Sequence, residues 1–129
     1  MNWTYNGVDV SELPINTVGF VYKITNLTNN KIYIGKKYSI SKRKNPKTGR
    51  RVTTESKWRC YLGSCNDLKS DIKALGLENF KKEIIRYCSC KDELNYYEAK
   101  LQFEDDIMLD ADKCYNKFIG CKIKRFKMT

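Results

Sequence analysis

The sequence predicts an α+β domain with a small sheet, and three features predict it. Residues 18–24 and 31–35 carry strand patterns on either side of an Asn-rich turn. The segment around Lys82 to Tyr87 supplies a third strand. Two stretches with helix starts and apolar stripes, "SCNDLKSDIKALG" and "SCKDELNYYEAKLQFEDDIML", lie before and after that strand. At 129 residues the chain holds one domain with a modest core, spanning 1–129.

Residues 1–16 read as a leader lying on the domain, with turn signals at Asn6-Gly7 and Pro14. In the first strand Val18, Phe20, Tyr22 and Ile24 alternate with Gly19, Val21 and Lys23. Asn29-Asn30 reads as a two-residue hairpin loop, which sets Lys31 opposite Thr28 and Tyr33 opposite Asn26. Side chains alternate along a strand, so Tyr22 and Tyr33 then share one face. One residue more or fewer in the loop would separate them.

Residues 36–59 hold ten Lys/Arg and one acid, Glu55. Asn45-Pro46 and Thr48-Gly49 break any helix there, so the stretch reads as a long basic loop or ribbon ending near Trp58. Phosphate contact is its natural use. The candidates are Lys37, Lys42, Lys44, Arg50, Arg51, Lys57 and Arg59, with Trp58 and Tyr61 as rings for base stacking. Residues 117–129 carry five Lys/Arg and no acid, a basic tail that adds Lys122, Lys124 and Arg125.

The first helix has Ser64 as cap, Asp67 in the capping-box position, the stripe Leu68, Ile72 and Leu75, and Gly76 as stop. The second has a Ser-x-x-Asp start at Ser89 and Asp92. On a helical wheel Leu94, Leu101, Met108 and Tyr97 gather into one apolar stripe. Glu98 falls at the border of this stripe, beside Leu94 and Leu101, and Asp105 falls within it. A carboxylate at that border faces a cleft, where it must be paired, protonated or bound to a cation. Glu98 ranks first, because Asp105 lies toward the helix end.

A formal charge of +10, from 25 Lys+Arg against 15 Asp+Glu, favours a polyanionic partner, nucleic acid first. No run approaches the ~18 apolar residues of a membrane span. The opening segment, "MNWTYNGVDVSELP", holds Asp9 and Glu12 and no apolar core, unlike a signal peptide. A cytoplasmic protein without a membrane partner is expected. The cysteines at 60, 65, 88, 90, 114 and 121 read as buried free thiols, since Cys88-Ser89-Cys90 is spaced wrongly for zinc. The chain has no histidine, which removes the commonest general base.

These residues together resemble the GIY-YIG nuclease superfamily, and within it the phage homing-endonuclease-like branch. The first signature element is degenerate here, Phe20-Val21-Tyr22 with Gly19 one place early. The second, Tyr33-Ile34-Gly35, is intact, and the tyrosines stand eleven apart. Glu98 in "NYYEAKLQF" and Tyr115-Asn116 follow in order, and "WRCYLGSCNDLKSDIKALGLENFKKEIIRYC" resembles the middle of phage-encoded members. The likeness covers roughly residues 17–125.

The resemblance implies a small central three-stranded antiparallel sheet flanked by helices. It also implies DNA phosphodiester hydrolysis with one Mg²⁺ or Mn²⁺ per site. Residue by residue, Glu98 matches the metal-binding glutamate, and Tyr22 and Tyr33 match the signature tyrosines. Lys36 matches a lysine of some members, Arg43 the phosphate-steadying arginine, and Asn116 an asparagine near the site. Pro46 interrupts the helix that usually carries the arginine, so Arg50 or Arg51 stands as an alternative. Tyr61 stands in for a missing polar group. If phage-encoded, the protein would act in the host cytoplasm.

The chemistry is coherent without the name. A carboxylate-held Mg²⁺ keeps much of its water shell and neutralises phosphate charge. With no histidine, a phenol is the candidate base, and its pKa near ~10 requires cations to lower it. Lys36 and Lys37 are expected to do so. Tyr22 is the favoured base and Tyr33 the water-orienting phenol, with the reverse order open. The competing readings are a non-catalytic nucleic-acid-binding module using the basic loop and tail, and a structural phage or ribosomal protein. A homodimer is compatible with any of them, and no small-molecule cofactor is expected.

Overall fold

The computed structural model describes residues 2–120 and 122–128, without the side chains of Lys42, Arg43, Lys44 and Val52. Seven strands and two helices follow in chain order: β1 (Thr4–Tyr5), β2 (Val8–Asp9), β3 (Gly19–Asn26), β4 (Ile32–Tyr38), β5 (Ile40–Lys44), β6 (Arg51–Glu55), α1 (Asn66–Leu75), β7 (Phe80–Cys88) and α2 (Lys91–Glu104). The expected α+β class holds. The sheet is larger than three strands and mixed, in the order β2-β1-β7-β3-β4. Its three long strands, β3, β4 and β7, are antiparallel, as expected.

The two extra strands come from the leader. Asn6 and Gly7 both take positive φ, 50° and 81°, which closes a tight hairpin between β1 and β2. β1 then pairs in parallel with β7. Trp3 seats its indole in the core at 1% exposure and donates to the Trp58 carbonyl over 2.7 Å.

The β3–β4 loop differs from the two-residue turn. Tyr33 pairs with Ile24, not Asn26, and the Asn26 N–H donates to the Lys31 carbonyl. The connection therefore spans residues 27–30, with Asn30 at φ 60°. The Asn26 side chain stops the shorter turn from forming, because its Oδ1 accepts from both the Thr28 N–H and hydroxyl. The register has moved by two residues, which preserves strand parity, so Tyr22 and Tyr33 still share a face.

Residues 40–55 form a two-stranded ribbon, β5–β6, separate from the main sheet, the second of the two forms, loop or ribbon, expected for this basic stretch. Its turn is stabilised by Asn45, whose Oδ1 accepts from the Lys47 N–H, and by Gly49 at φ 71°. The ribbon leaves β4 at Ser39, whose hydroxyl donates to the Thr17 carbonyl.

Each face of the main sheet carries its own core. Trp3, Phe20, Tyr22, Ile24, Trp58 and the α1 residues Leu68 and Ile72 pack on one face. Val21, Ile34, Cys88, Leu94 and Ile107 pack beneath α2 on the other. α2 ends at Glu104, so Met108 lies beyond it and is 42% exposed. The capping residues are Cys65 and Cys90 rather than Ser64 and Ser89, and Cys90 Sγ accepts from the Glu93 N–H. The five described cysteines are free thiols, and only Cys88 and Cys114 are buried; Cys121 lies outside the described residues. Among the described residues no helix is long and apolar enough to cross a membrane.

Candidate active site

β4 is an edge strand, and its outer edge is finished by the chain that follows α2. The Ile32 N–H donates to the Lys113 carbonyl, and the Tyr115 N–H donates to the Ile32 carbonyl. Two amide side chains continue the pattern at Ile34. Asn116 accepts from its N–H over 3.0 Å and donates to its carbonyl over 2.8 Å. Gln102 donates to the same carbonyl over 3.0 Å. The residue between Tyr33 and Gly35 is thereby fixed as firmly as in a central strand.

A cleft of about 360 Å³ opens along this edge. Tyr33, Ser64, Cys65 and Asn66 reach it from the α1 face, Glu98 and Gln102 from α2, and residues 115–118 and Gly120 from the closing segment. Tyr22 lies under Tyr33, 1% exposed, with ring centroids 6.1 Å apart. Tyr61 meets Tyr22 edge-on at 5.9 Å. Tyr115 is pinned at its hydroxyl, which accepts from Asn26 over 3.0 Å and donates to Asp71 over 2.6 Å. Burial first, then Asp71, pushes that phenol up to about 12.

The two signature tyrosines are held differently. Burial pushes Tyr22 well above its ordinary value, and Tyr33, Tyr61 and Glu98 push it further. Burial also holds Tyr33 above its ordinary value; the hydrogen bond with Ser64, 3.0 Å between oxygens, offsets only part of this, and Tyr61, Cys65 and Glu98 add to the rise. Lysines were expected to lower Tyr22, and the geometry explains why they do not. Lys36 pairs with Val21 and points to the α2 face, where its ammonium donates to Asn95 Oδ1. Lys37 lies over the Tyr61 ring, 4.3 Å from its centroid.

Glu98 is half-buried at the cleft. Desolvation raises its carboxyl above the usual range, and Lys36 partly opposes this. Among the described residues it has neither a hydrogen bond nor a salt bridge. Asp105, the second candidate, pairs with Lys23 at 3.5 Å and does not line the cleft. No group of three His, Cys, Asp or Glu gathers for a metal among the described residues.

The other predicted residues divide clearly. Trp58 is core, 1% exposed, with its indole N–H on Glu55, so it has no free face to stack on a base. Arg59 lies across the Trp58 ring and binds Glu55 at 2.5 Å. Arg50, Arg51 and Lys57 are exposed on or beside the ribbon. Arg43, Lys42 and Lys44 belong to β5, and their side chains lie outside the described residues. Lys122, Lys124 and Arg125 are exposed on a tail that follows α2, tied by the Lys124 N–H to Asp92 and by Asn95 to the Lys122 carbonyl.

Sequence reasoning missed Ser64, Asn95 and Gln102. Ser64 looked like a helix cap. The signal for the others was a polar stripe, Asn95, Glu98 and Gln102, at helical spacing beside the apolar stripe of α2.

Comparison with known proteins adds an independent line. The family described as "Putative endonuclease segE, GIY-YIG domain" matches residues 3–119. "Putative endonuclease segD" of Enterobacteria phage T4 is 34% identical over 100 residues, 78% of this chain and 37% of that protein. "Putative endonuclease segC" of the same phage is 31% identical over 101 residues, 78% of this chain and 42% of that protein. "Putative endonuclease segB" is 34% identical over 101 residues, 78% of this chain and 38% of that protein. The chain thus matches about two fifths of the length of these curated relatives. No solved structure matches it significantly.

Proposed function

The chain belongs to the GIY-YIG endonuclease family typified by the segE domain, and from that premise we propose that it is a divalent-metal-dependent domain hydrolysing DNA phosphodiester bonds. The observation that carries this reading is the cleft at the β4 edge, where Tyr33 and Glu98 arrive from opposite faces of the sheet with Tyr22 beneath. The relatives are named as endonucleases, and a net charge of +10 suits a polyanionic substrate.

Glu98 is the residue that would hold Mg²⁺ or Mn²⁺. A half-buried carboxylate with no hydrogen bond or salt bridge among the described residues, beside an orphaned buried amide oxygen at Gln102, fits a cation. One carboxylate suffices for an ion that keeps most of its water. When bound, the ion supplies charge neutralisation at the phosphate and at the leaving oxygen.

Of the two phenols, Tyr33 faces the cleft and is the proton acceptor of this reading. Ser64 takes the tuning role first given to Lys36, since its hydrogen bond favours the phenolate. Tyr22 packs against the Tyr33 ring, and Tyr61 packs edge-on against Tyr22. In the reaction, water attacks phosphorus as its proton passes to the Tyr33 oxygen in its phenolate form; one P–O ester bond breaks, and the leaving oxygen takes its proton from solvent. Asn116 sets the backbone of Ile34 and so the reach of Tyr33. An arginine of the ribbon, Arg43, Arg50 or Arg51, would steady the phosphate, while the ribbon and the tail grip the backbone.

Plasmid nicking in Mg²⁺ or Mn²⁺ tests the reading. Tyr33→Phe and Glu98→Ala are expected to lower the rate by about 10²-fold or more. Ser64→Ala should move the rising limb of the pH–rate profile to higher pH. Cleavage that survives both EDTA and Glu98→Ala would overturn the mechanism. Salt-dependent DNA binding with no cleavage in any divalent metal would favour a binding module instead.

A further inference from the structure

Two buried side-chain polar atoms among the described residues have no hydrogen-bond partner, Arg86 Nε and Gln102 Oε1. Only Gln102 lies at the cleft. Its orientation is dictated, because Nε2 must face the Ile34 carbonyl and donates to it over 3.0 Å. Turning the amide over would set two acceptors against each other. Oε1 is therefore the atom left over, on a side chain only 5% exposed.

A buried oxygen without a donor is costly, and the fold does not relieve it from within. Gln102 stands one helical turn beyond Glu98 on α2, so the two side chains are neighbours on one face. Both line the same cleft. A neutral amide oxygen beside a single carboxylate suits an ion that takes oxygen donors and retains its waters.

We propose that Gln102, through Oε1, is the second protein group, after Glu98, that binds the hydrated divalent cation of this cleft. The inference rests on the one-metal reading above. It gives Gln102 two tasks at once: Nε2 props the backbone between Tyr33 and Gly35, and Oε1 holds the cation or one of its waters.

The test is Mn²⁺ titration of the intact, DNA-free chain, following the loss of the free-Mn²⁺ paramagnetic signal, beside metal-free thermal unfolding. Gln102→Met is expected to weaken Mn²⁺ binding by roughly tenfold or more. Gln102→Lys, which can still donate to the Ile34 carbonyl but offers no oxygen, is expected to weaken it too. A Gln102→Met protein that unfolds at lower temperature but binds Mn²⁺ as the parent does would overturn the proposal, leaving Gln102 a backbone prop. Should Gln102→Met fail to fold, binding by Gln102→Lys equal to the parent's overturns it equally. Glu98→Gln separates the two levels. Parent and Glu98→Gln binding alike would remove the cation reading and this inference together. Loss of binding in Glu98→Gln, with both Gln102 variants like the parent, would remove this inference alone.

Discussion

The hydroxyl of Tyr22 occupies the space that a side chain at Gly35 would need. A Cβ there would stand 2.5 Å from Tyr22 Oη and 2.8 Å from Cζ, with Tyr33 Cε1 at 3.0 Å. The two residues are direct partners across β3 and β4. The bare backbone at Gly35 thus lets the first phenol tuck beneath the second, their rings tilted by 37°. A bulge on β7, where the partners of Val21 and Tyr22 jump from Arg86 to Ile84, adjusts the strand at the same point.

From this contact, Gly35→Ala is expected to cost about 1–3 kcal/mol, the usual range for overpacking a filled core. Tyr22 cannot swing away, because Trp3 and Tyr61 close on its ring at 5.2 and 5.9 Å. Adding Tyr22→Phe removes Oη and should restore part of the loss. Urea unfolding of the two variants checks this, and equal stability of the single and double variants would contradict it.

Glu98 sets a pH-dependent penalty on the metal-free fold. Its folded pKa is raised by burial, so the folded state binds more protons than the unfolded chain as this carboxyl titrates. Stability then falls as pH rises from the ordinary carboxylate value through the folded one, and the cost persists at neutral pH. Glu98→Gln should melt higher than the parent at pH 7 in EDTA, with the difference shrinking toward pH 4. Thermal unfolding across that range is the measurement, and a lower melting temperature for Glu98→Gln at pH 7 would contradict it.

Lys82 gives the opposite slope on the alkaline side. It is 2% exposed on β7, its ammonium donates to the Arg59 carbonyl over 3.1 Å, and it lies 4.3 Å from the Trp3 ring centre. Burial lowers its pKa to about 8. Between about 8 and the ordinary 10.5, the unfolded chain holds the proton that the folded one has lost, so stability contributed by this group rises with pH. Below about 8 the cost of charging it is fully present. Lys82→Met should abolish that rise, read as the difference between parent and variant in urea unfolding from pH 7 to 10. Parallel curves would refute it.

The ribbon's charges should act on DNA affinity without base preference. Arg50→Ala and Arg51→Ala are each expected to weaken binding by a similar factor on unrelated duplexes. Each should also flatten the slope of log K against log salt by about 1. Fluorescence anisotropy at several salt concentrations measures this, and an unchanged slope would place the ribbon off the phosphate backbone.

Much of the site was written in local periodicity. The alternation of β3 and β4 put both phenols on one face, and a register shift of two residues did not disturb it, because strand parity repeats every two. The helical period of α2 put Glu98 at the border of its stripe, and there it opens on the cleft. The concentration of lysine and arginine between 36 and 59 marked the segment that became the ribbon and its base.

What only the tertiary structure decided concerns partners distant in sequence. Nothing near Thr4 foretells a parallel pairing with Glu83, nor does anything near Trp3 foretell a carbonyl at Trp58. Ser64 has the chemistry of a helix cap, yet it turns to Tyr33, thirty-one residues away. Gln102 looks like a solvated helix residue until the edge of β4 claims its amide. Local periods are fixed by backbone geometry that every residue shares. Which polar atoms must satisfy one another is fixed only when burial strips their water, and burial depends on the whole chain folding around them.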